Sequence, residues 1–386
     1  MLLRLLKSML RPRPRQPAAA AAAPRTAAKR PPPEVWLQNP ELIKGLASLA
    51  SGREVEISGA AKEDGSSAKV VVKPGKQELP IGEIISRAAS LRGARLSPAL
   101  EARVRGYEAA FAGAARPGSG PNVFVYHVDM PGNEAISYVD VKFFPDHFDY
   151  VDILRRCIER VRSHCPGATV YLVTAPGSTH RALAAADVAL VELEVDPRHP
   201  MFERATALLA YLRSPAFARD TLFLDADALV NRPLEDVFAL GFDIGLTYRE
   251  AERLMPVNEG VMFFSARRPE RVRGFFESRL ATYEALAADP YITGFYGDVK
   301  RWRGGQLSLN ALAHDLRPYS PYRGDEAAGA RLRFLPCDTF NFAGGEGESS
   351  SAIERLDERF VVHFKGMRKY AFVYAAQAEQ AASRVS

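Results

Sequence analysis

Between Asn122 and Asp227 the apolar residues fall into two alternating rhythms. The runs "NVFVYHV" from Asn122, "ATVYLVT" from Ala168, "DVALVELEV" from Asp187 and "DTLFLDAD" from Asp220 are apolar at nearly every position and have the length of strands. Between them, "YVDILRRCIERVRSHCP", the short "HRALAAA" and "PMFERATALLAYLRS" repeat apolar residues at helical intervals, and the first of these stops at Pro166. Strands apolar on both faces, alternating with helices, predict an α/β fold built on a mostly parallel sheet covered on both sides. In such sheets ligands bind beyond the carboxyl ends of the strands.

Four further segments follow. "MPVNEGVMFFSAR" places Asn258 and Gly260 at the head of an apolar strand, Val261 to Phe264, and "RWRGGQLSLNALAHD" sets two glycines and Gln306 before a helical pattern. "RFLPCDTFNF" reads as a short strand ending in Asn341, and "RFVVHFKGMRK" as an apolar strand ending with His363, Gly366 and Lys369. Upstream the pattern is weaker. "REVEIS" and "AKVVVK" predict a small hairpin and "IGEIISRAASL" a helix, while "GAARPGSGP", Gly113 to Pro121, reads as a boundary. The chain therefore divides into residues 1–33, a small accessory region over 34–117, and a main domain over 118–386.

Composition changes this picture in two places. The formal net charge of +5 belongs to residues 1–33, which hold eight Lys/Arg and no acid; the remaining 43 basic and 46 acidic residues come to −3. A nucleic-acid-binding body therefore has little electrostatic support. The leucine-rich start "MLLRLLKSML" is too short and too charged to span a bilayer. Together with the Pro/Ala/Arg stretch to Pro33, it reads as a disordered basic tail suited to peripheral contact with an anionic membrane, with an organellar transit peptide as the alternative. Three cysteines, Cys157, Cys165 and Cys337, form neither a disulfide framework nor a zinc spacing. They suit a reducing, cytoplasmic setting.

The candidate chemistry begins where "TLFL" runs out into Asp225 and Asp227. Two acids one residue apart at a strand end repel unless a cation lies between them. An oxygen ligand set suits Mg²⁺ or Mn²⁺, which complete their coordination with water and substrate phosphates. Imidazole is a good partner for Mn²⁺, a glycine lets backbone approach phosphate, and a lysine neutralises phosphate oxygen. His363, Gly366 and Lys369 supply these in order.

Over about Asn122 to Tyr370 these motifs resemble the GT-A glycosyltransferases, in particular the retaining family 8 type. "FLDADALVNRPLEDVF" is similar to the family's acidic strand end, "NEGVMFF" to its Asn-x-Gly strand, and His363, Gly366 and Lys369 meet its His-x-x-Gly-x-x-Lys signature at full spacing. The resemblance implies a GT-A fold and transfer of a hexose from a nucleotide diphosphate sugar, a UDP-sugar, to a glycan or glycolipid, as in polysaccharide biosynthesis. It implies a Mn²⁺ or Mg²⁺ site of Asp225, Asp227 and His363, with Asp225 also reaching the donor's ribose. Arg204 would brace the sugar nucleotide, Asn258 and Gly260 would face donor or acceptor, and Gly366 and Lys369 would bind the departing diphosphate. Gln306 would lie on the far face of the sugar as nucleophile or electrostatic stabiliser. In one respect the chain departs from the family: Gly305 stands where an aspartate usually bonds the donor sugar.

Two alternatives stay open. One is a non-catalytic protein that binds sugar nucleotide or glycan. The other is a haloacid-dehalogenase-type phosphatase, in which Asp225 would attack phosphorus and Asp227 would act as acid/base. The second leaves the His363 to Lys369 signature unexplained.

Overall fold

The computed structural model describes residues 55–58, 69–72, 81–128, 150–249, 255–317, 319, 324–343 and 358–364. The tail over residues 1–33, and Gly366 and Lys369, lie outside the described residues. The chain forms two compact units. One comprises Met1–Glu78, Ser137–His147 and Tyr374–Ser386, the other Leu79–Ile136 and Phe148–Val373.

In the first unit the described part is a hairpin. Strands β1 (Val55–Ser58) and β2 (Lys69–Val72) pair antiparallel from Val55↔Val72 to Ser58↔Lys69.

The second unit opens with helices α1 (Ile81–Ser90) and α2 (Pro98–Ala114). Pro98 starts α2, and the Ser97 hydroxyl accepts from the Leu100 N–H, satisfying one of the donors a helix start leaves open. There follow β3 (Asn122–Tyr126), α3 (Tyr150–His164), β4 (Thr169–Thr174), a 3₁₀ turn at Thr179–Leu183, β5 (Val188–Glu192), α4 (Pro200–Arg213) and β6 (Thr221–Leu224). The rest of the described chain forms β7 (Ala228–Val230), α5 (Glu235–Phe238), β8 (Ile244–Tyr248), β9 (Val257–Phe264), α6 (Pro269–Ala288), α7 (Pro290–Tyr296) and α8 (Gly304–Leu312). It ends with β10 (Gly324–Ala327), β11 (Ala330–Pro336), α9 (Cys337–Phe340) and β12 (Val361–His363).

Among the described residues eight strands make one sheet in the order β10-β11-β8-β9-β6-β3-β4-β5. β6, β3, β4 and β5 run parallel, joined by α3 and α4. β9 is antiparallel to both β6 and β8, so the sheet is mixed on this side. An antiparallel neighbour needs no helical crossover, and only eight residues separate β8 from β9. The segment read as a strand running to Asn341 divides differently. β11 stops at Pro336, which has no N–H to give to the ladder, and residues 337–340 turn into α9.

Side chains alternate between two cores. Phe124, Tyr171, Phe223, Met262 and Phe334 pack with Leu208 and Tyr211 of α4, Phe276 of α6 and Leu309 of α8. Val123, Val125, Leu172, Leu224 and Phe263 pack on the opposite face with Ile153, Ile158 and Val161 of α3. Both faces are dry, as the unbroken apolar strands require. Helix α2 belongs to the first core: Phe111 meets Tyr211 edge-on at 5.5 Å, and Tyr107 donates to the buried Glu203 at 2.7 Å. Helix α1 packs on α8, where Ile84 and Ala88 join Leu307 and Ala311. Both helices, from the region read as accessory, are thus part of the unit that carries the large sheet. The three cysteines are buried, and burial pushes the Cys157 and Cys165 thiols up to about 12. Among the described residues no helix is long and apolar enough to cross a membrane.

Candidate metal and donor site

β6 ends at Leu224, and residues 225–227 turn at its carboxyl end, beside β3 and β9. The Asp225 N–H donates to the Gly260 carbonyl of β9 at 2.9 Å, and the Ala228 N–H closes the turn onto the Asp225 carbonyl at 3.0 Å. The chain then enters β7, which pairs antiparallel with β12 in the register Ala228↔His363. The Phe364 N–H donates to the Asp227 carbonyl at 2.8 Å. This ladder sets His363 against the acidic turn. Tertiary pairing, rather than alternation along one strand, makes the acids converge with the imidazole.

One ligand atom from each of Asp225, Asp227 and His363 lies within 4.8 Å of the others. His363 Nε2 is 3.0 Å from Asp227 Oδ1 and 3.6 Å from Asp225 Oδ2. With metal–ligand bonds of roughly 2.1 Å, adjacent ligands of an octahedral ion stand about 3 Å apart, so the three groups fit a hard divalent cation. His363 is only 2% exposed while both carboxylates are partly exposed.

Gly260 makes this clustering possible. A Cβ there would lie 2.6 Å from His363 Cε1 and 2.7 Å from Asp225 Oδ2, closer than real side chains approach. The glycine expected to face donor or acceptor therefore packs against two of the candidate metal ligands.

Arg204, from α4, is buried and reaches the same place. Its Nη1 donates to Asp225 Oδ1 at 2.5 Å, and its Nη2 is paired with Glu259. Glu259 is in turn paired with Arg279 of α6, whose Nη2 donates to the Gly305 carbonyl at 3.2 Å. Burial acts to lower the Arg204 pKa, but the Glu259 and Asp225 carboxylates outweigh it and raise it. Burial lowers that of Arg279, and the neighbouring Arg204 adds to the effect against the pull of Glu259. Arg204 thus braces a candidate ligand carboxylate.

The Glu259–Arg279 pair has no counterpart in the sequence reading. Its signal is a carboxylate inside the otherwise apolar "NEGVMFF". It also explains Gly305: a Cβ at that position would collide with the Glu259 carboxylate, with Oε1 at 2.9 Å. The space an aspartate would need at position 305 is filled by an acid from β9. Gly304 is held small by the Tyr283 ring, 2.7 Å from the same hypothetical carbon at Cδ2.

Asn258 lies within β9, 6% exposed, and its Oδ1 accepts from the Gly260 N–H at 2.9 Å and from Asn341 Nδ2 at 2.8 Å. Gln306, in the first turn of α8, donates from Nε2 to the Met255 carbonyl at 2.9 Å. Asn310 ties α8 to β9 through both polar ends of its amide, accepting from Val257 N–H and donating to Val257 O. The structure therefore brings Asp225, Asp227, His363, Arg204, Gly260 and Asn258 into one cluster. Gln306 stands next to Gly305 at its border.

No protein-family model and no curated protein sequence matches this chain. Solved structures do. The glycosyltransferase GlyE of Streptococcus pneumoniae TIGR4 is 14% identical over 67% of this chain and 60% of its own, with a TM-score of 0.39. The galactosyltransferase LgtC, in complex with donor and acceptor sugar analogues, is 13% identical over 64% of this chain and 87% of its own, with a TM-score of 0.36. Mouse xyloside xylosyltransferase 1 is 12% identical over 64% and 97%, with a TM-score of 0.37. The chain is similar to glycosyltransferases. It matches less than two thirds of GlyE's length, and likenesses this distant bear on neither activity nor substrate. Those rest on the site.

Proposed function

We propose that this chain is a divalent-metal-dependent glycosyltransferase that moves a hexose from a UDP-sugar to a hydroxyl of a glycan or glycolipid. The observation that carries the reading is the convergence of Asp225, Asp227 and His363 from two distant parts of the chain. Mn²⁺ or Mg²⁺ held there would neutralise the donor's diphosphate. Arg204 holds Asp225 through its Oδ1, and Gly260 lets His363 and Asp225 close in from one side. The Gly366 backbone and Lys369, three and six residues beyond His363, would stabilise the charge developing on the leaving diphosphate.

In the transfer the bond between the anomeric carbon and the diphosphate oxygen breaks, and its electron pair leaves with the nucleotide. The acceptor oxygen bonds that carbon and gives up its proton to the departing diphosphate oxygen. Gln306 gives one of its two Nε2–H groups to the Met255 carbonyl, and its carbonyl oxygen would be the group that meets the electron-poor anomeric carbon. Retention of configuration is part of this proposal, and an NMR time course giving the inverted anomer would refute it. A phosphatase with Asp225 as nucleophile is less well supported, because Oδ1 of that carboxylate is committed to Arg204.

Calorimetric titration of UDP into wild type and Asp227→Ala, first with MnCl₂ and then with EDTA, tests the metal and donor assignment. Binding that requires Mn²⁺ and disappears in the variant is expected. Equal binding in EDTA or in the variant would sink the metal assignment. Release of hexose from a UDP-sugar by the wild type then separates an enzyme from a protein that only binds.

A further inference from the structure

A histidine can ligate a metal through Nε2 only if that nitrogen carries a lone pair, so the proton of the neutral ring must sit on Nδ1. Around His363 the position of this proton is set by a chain of hydrogen bonds whose polarity cannot reverse. It starts at the backbone N–H of Gly260, which can only donate and lies 2.9 Å from the Asn258 side-chain oxygen. That contact requires Oδ1, not the NH₂ group, of Asn258 at this point, because two donors cannot face each other. The Asn341 atom 2.8 Å from Asn258 Oδ1 must then be its NH₂ group, which also reaches Thr247 Oγ1 at 3.0 Å. The Thr247 hydroxyl gives its own proton to the Val261 carbonyl at 3.0 Å and so accepts from Asn341.

With its nitrogen so placed, Asn341 turns its oxygen toward His363 Nδ1, 2.9 Å away. Only a protonated Nδ1 satisfies that contact. Asn341 and Thr247 are fully buried, with Asn258 6% and His363 2% exposed, so bulk water has little access to stand in for a missing member. Nε2, the opposite end of the ring, is the atom that faces Asp227 and Asp225.

We propose that Asn341, oriented by Asn258 and Thr247, is the positioning residue that holds a proton on His363 Nδ1 and thereby keeps Nε2 available to a divalent cation. The proposal rests on the metal reading above. It also gives Asn258 Oδ1 a task inside the protein, as the anchor of this relay, in place of contact with donor or acceptor.

The test uses full-length protein labelled with ¹⁵N-histidine. Ring nitrogen shifts of the metal-free wild type at pH 8 report the proton positions of the seven histidines. The His363 signals are assigned by their loss in His363→Gln. Nδ1 of His363 should be protonated, and a bare Nδ1 in the wild type would overturn the proposal without any variant. Mn²⁺ affinity is then measured by electron paramagnetic resonance for wild type and Asn341→Leu, a substitution of similar volume that removes the acceptor. Removal of such an outer partner typically weakens metal binding by about 10- to 100-fold. The expected result is a loss in that range while the other histidine signals stay in place. Unchanged Mn²⁺ affinity in Asn341→Leu would overturn the relay alone. Absence of Mn²⁺ binding in the wild type would instead bring down the metal reading, and this inference with it.

Discussion

Gly260 shows how one missing side chain can carry a site. A methyl group there has no room to relax, because His363 Cε1 and Asp225 Oδ2 close in from two sides and the backbone around it is committed to the Asp225 N–H and to Asn258. Gly260→Ala should therefore push two candidate ligands apart while leaving the cores untouched. A fall in Mn²⁺ affinity of tenfold or more, with little change in melting temperature, is the expected outcome, measured by calorimetry on the same preparation. Wild-type affinity in the alanine variant would show that the three groups do not act as one ligand set. Most of the candidate ligand set was legible in the sequence: the spacing of Asp225 and Asp227 and the His363 signature were there to read. Glu259, Arg279 and Asn341 were not. Their meaning depends on which side chains they meet from other elements, and a lone carboxylate or amide in an apolar run carries no such information.

At the scale of elements, α7 illustrates a start signal that works locally. Asp289 accepts from the N–H groups of Tyr291 and Ile292, Pro290 opens the helix, and the Arg87 guanidinium closes on the same carboxylate at 2.7 Å. Burial acts to raise the Asp289 pKa, but Arg87 and the two backbone donors outweigh it and hold it below the usual carboxylate range. Asp289→Ala should cost about 1 kcal/mol, the ordinary value of an N-cap, at neutral pH. A depressed carboxylate stabilises above its unfolded pKa of about 3.9 and loses that contribution as pH falls through the lower folded value. The difference in melting temperature between wild type and Asp289→Ala should therefore shrink as pH is taken below about 4. A constant difference down to pH 2 would refute the role of the ionised cap. Elements of this kind, and the strands over 122–126, 169–174, 188–192 and 221–224, follow from periodicity and caps. The reversal of β9 and the stop of β11 at Pro336 do not follow from periodicity, since strand direction is settled by neighbours and a strand's end by where its ladder fails.

For the whole molecule, Asp225, Asp227, His363 and all the residues that brace them belong to the unit of Leu79–Ile136 and Phe148–Val373. A protein beginning at Leu79 keeps α1 and α2, which pack on α8 and α4, and should retain Mn²⁺-dependent UDP binding at wild-type affinity. Loss of that binding in a folded truncated protein would place part of the donor site before Leu79. A protein beginning instead at Gly118 would lose Tyr107 and Phe111 from a core shared with Tyr211, and with them the support of the helix that carries Arg204.

By itself the sequence determined the α/β alternation, the two dry faces of the sheet and the placing of an acidic pair beyond a strand end. Each of these depends on residues close together in the chain, whose periodicity and polarity already fix what they can do. Only the tertiary structure decided that His363 meets the acids across the β7–β12 ladder, that Arg204 is anchored through Glu259, and that Gly305 is small because an acid fills its space. Those contacts join positions far apart in sequence. Which partner a buried polar group finds is settled when the elements pack.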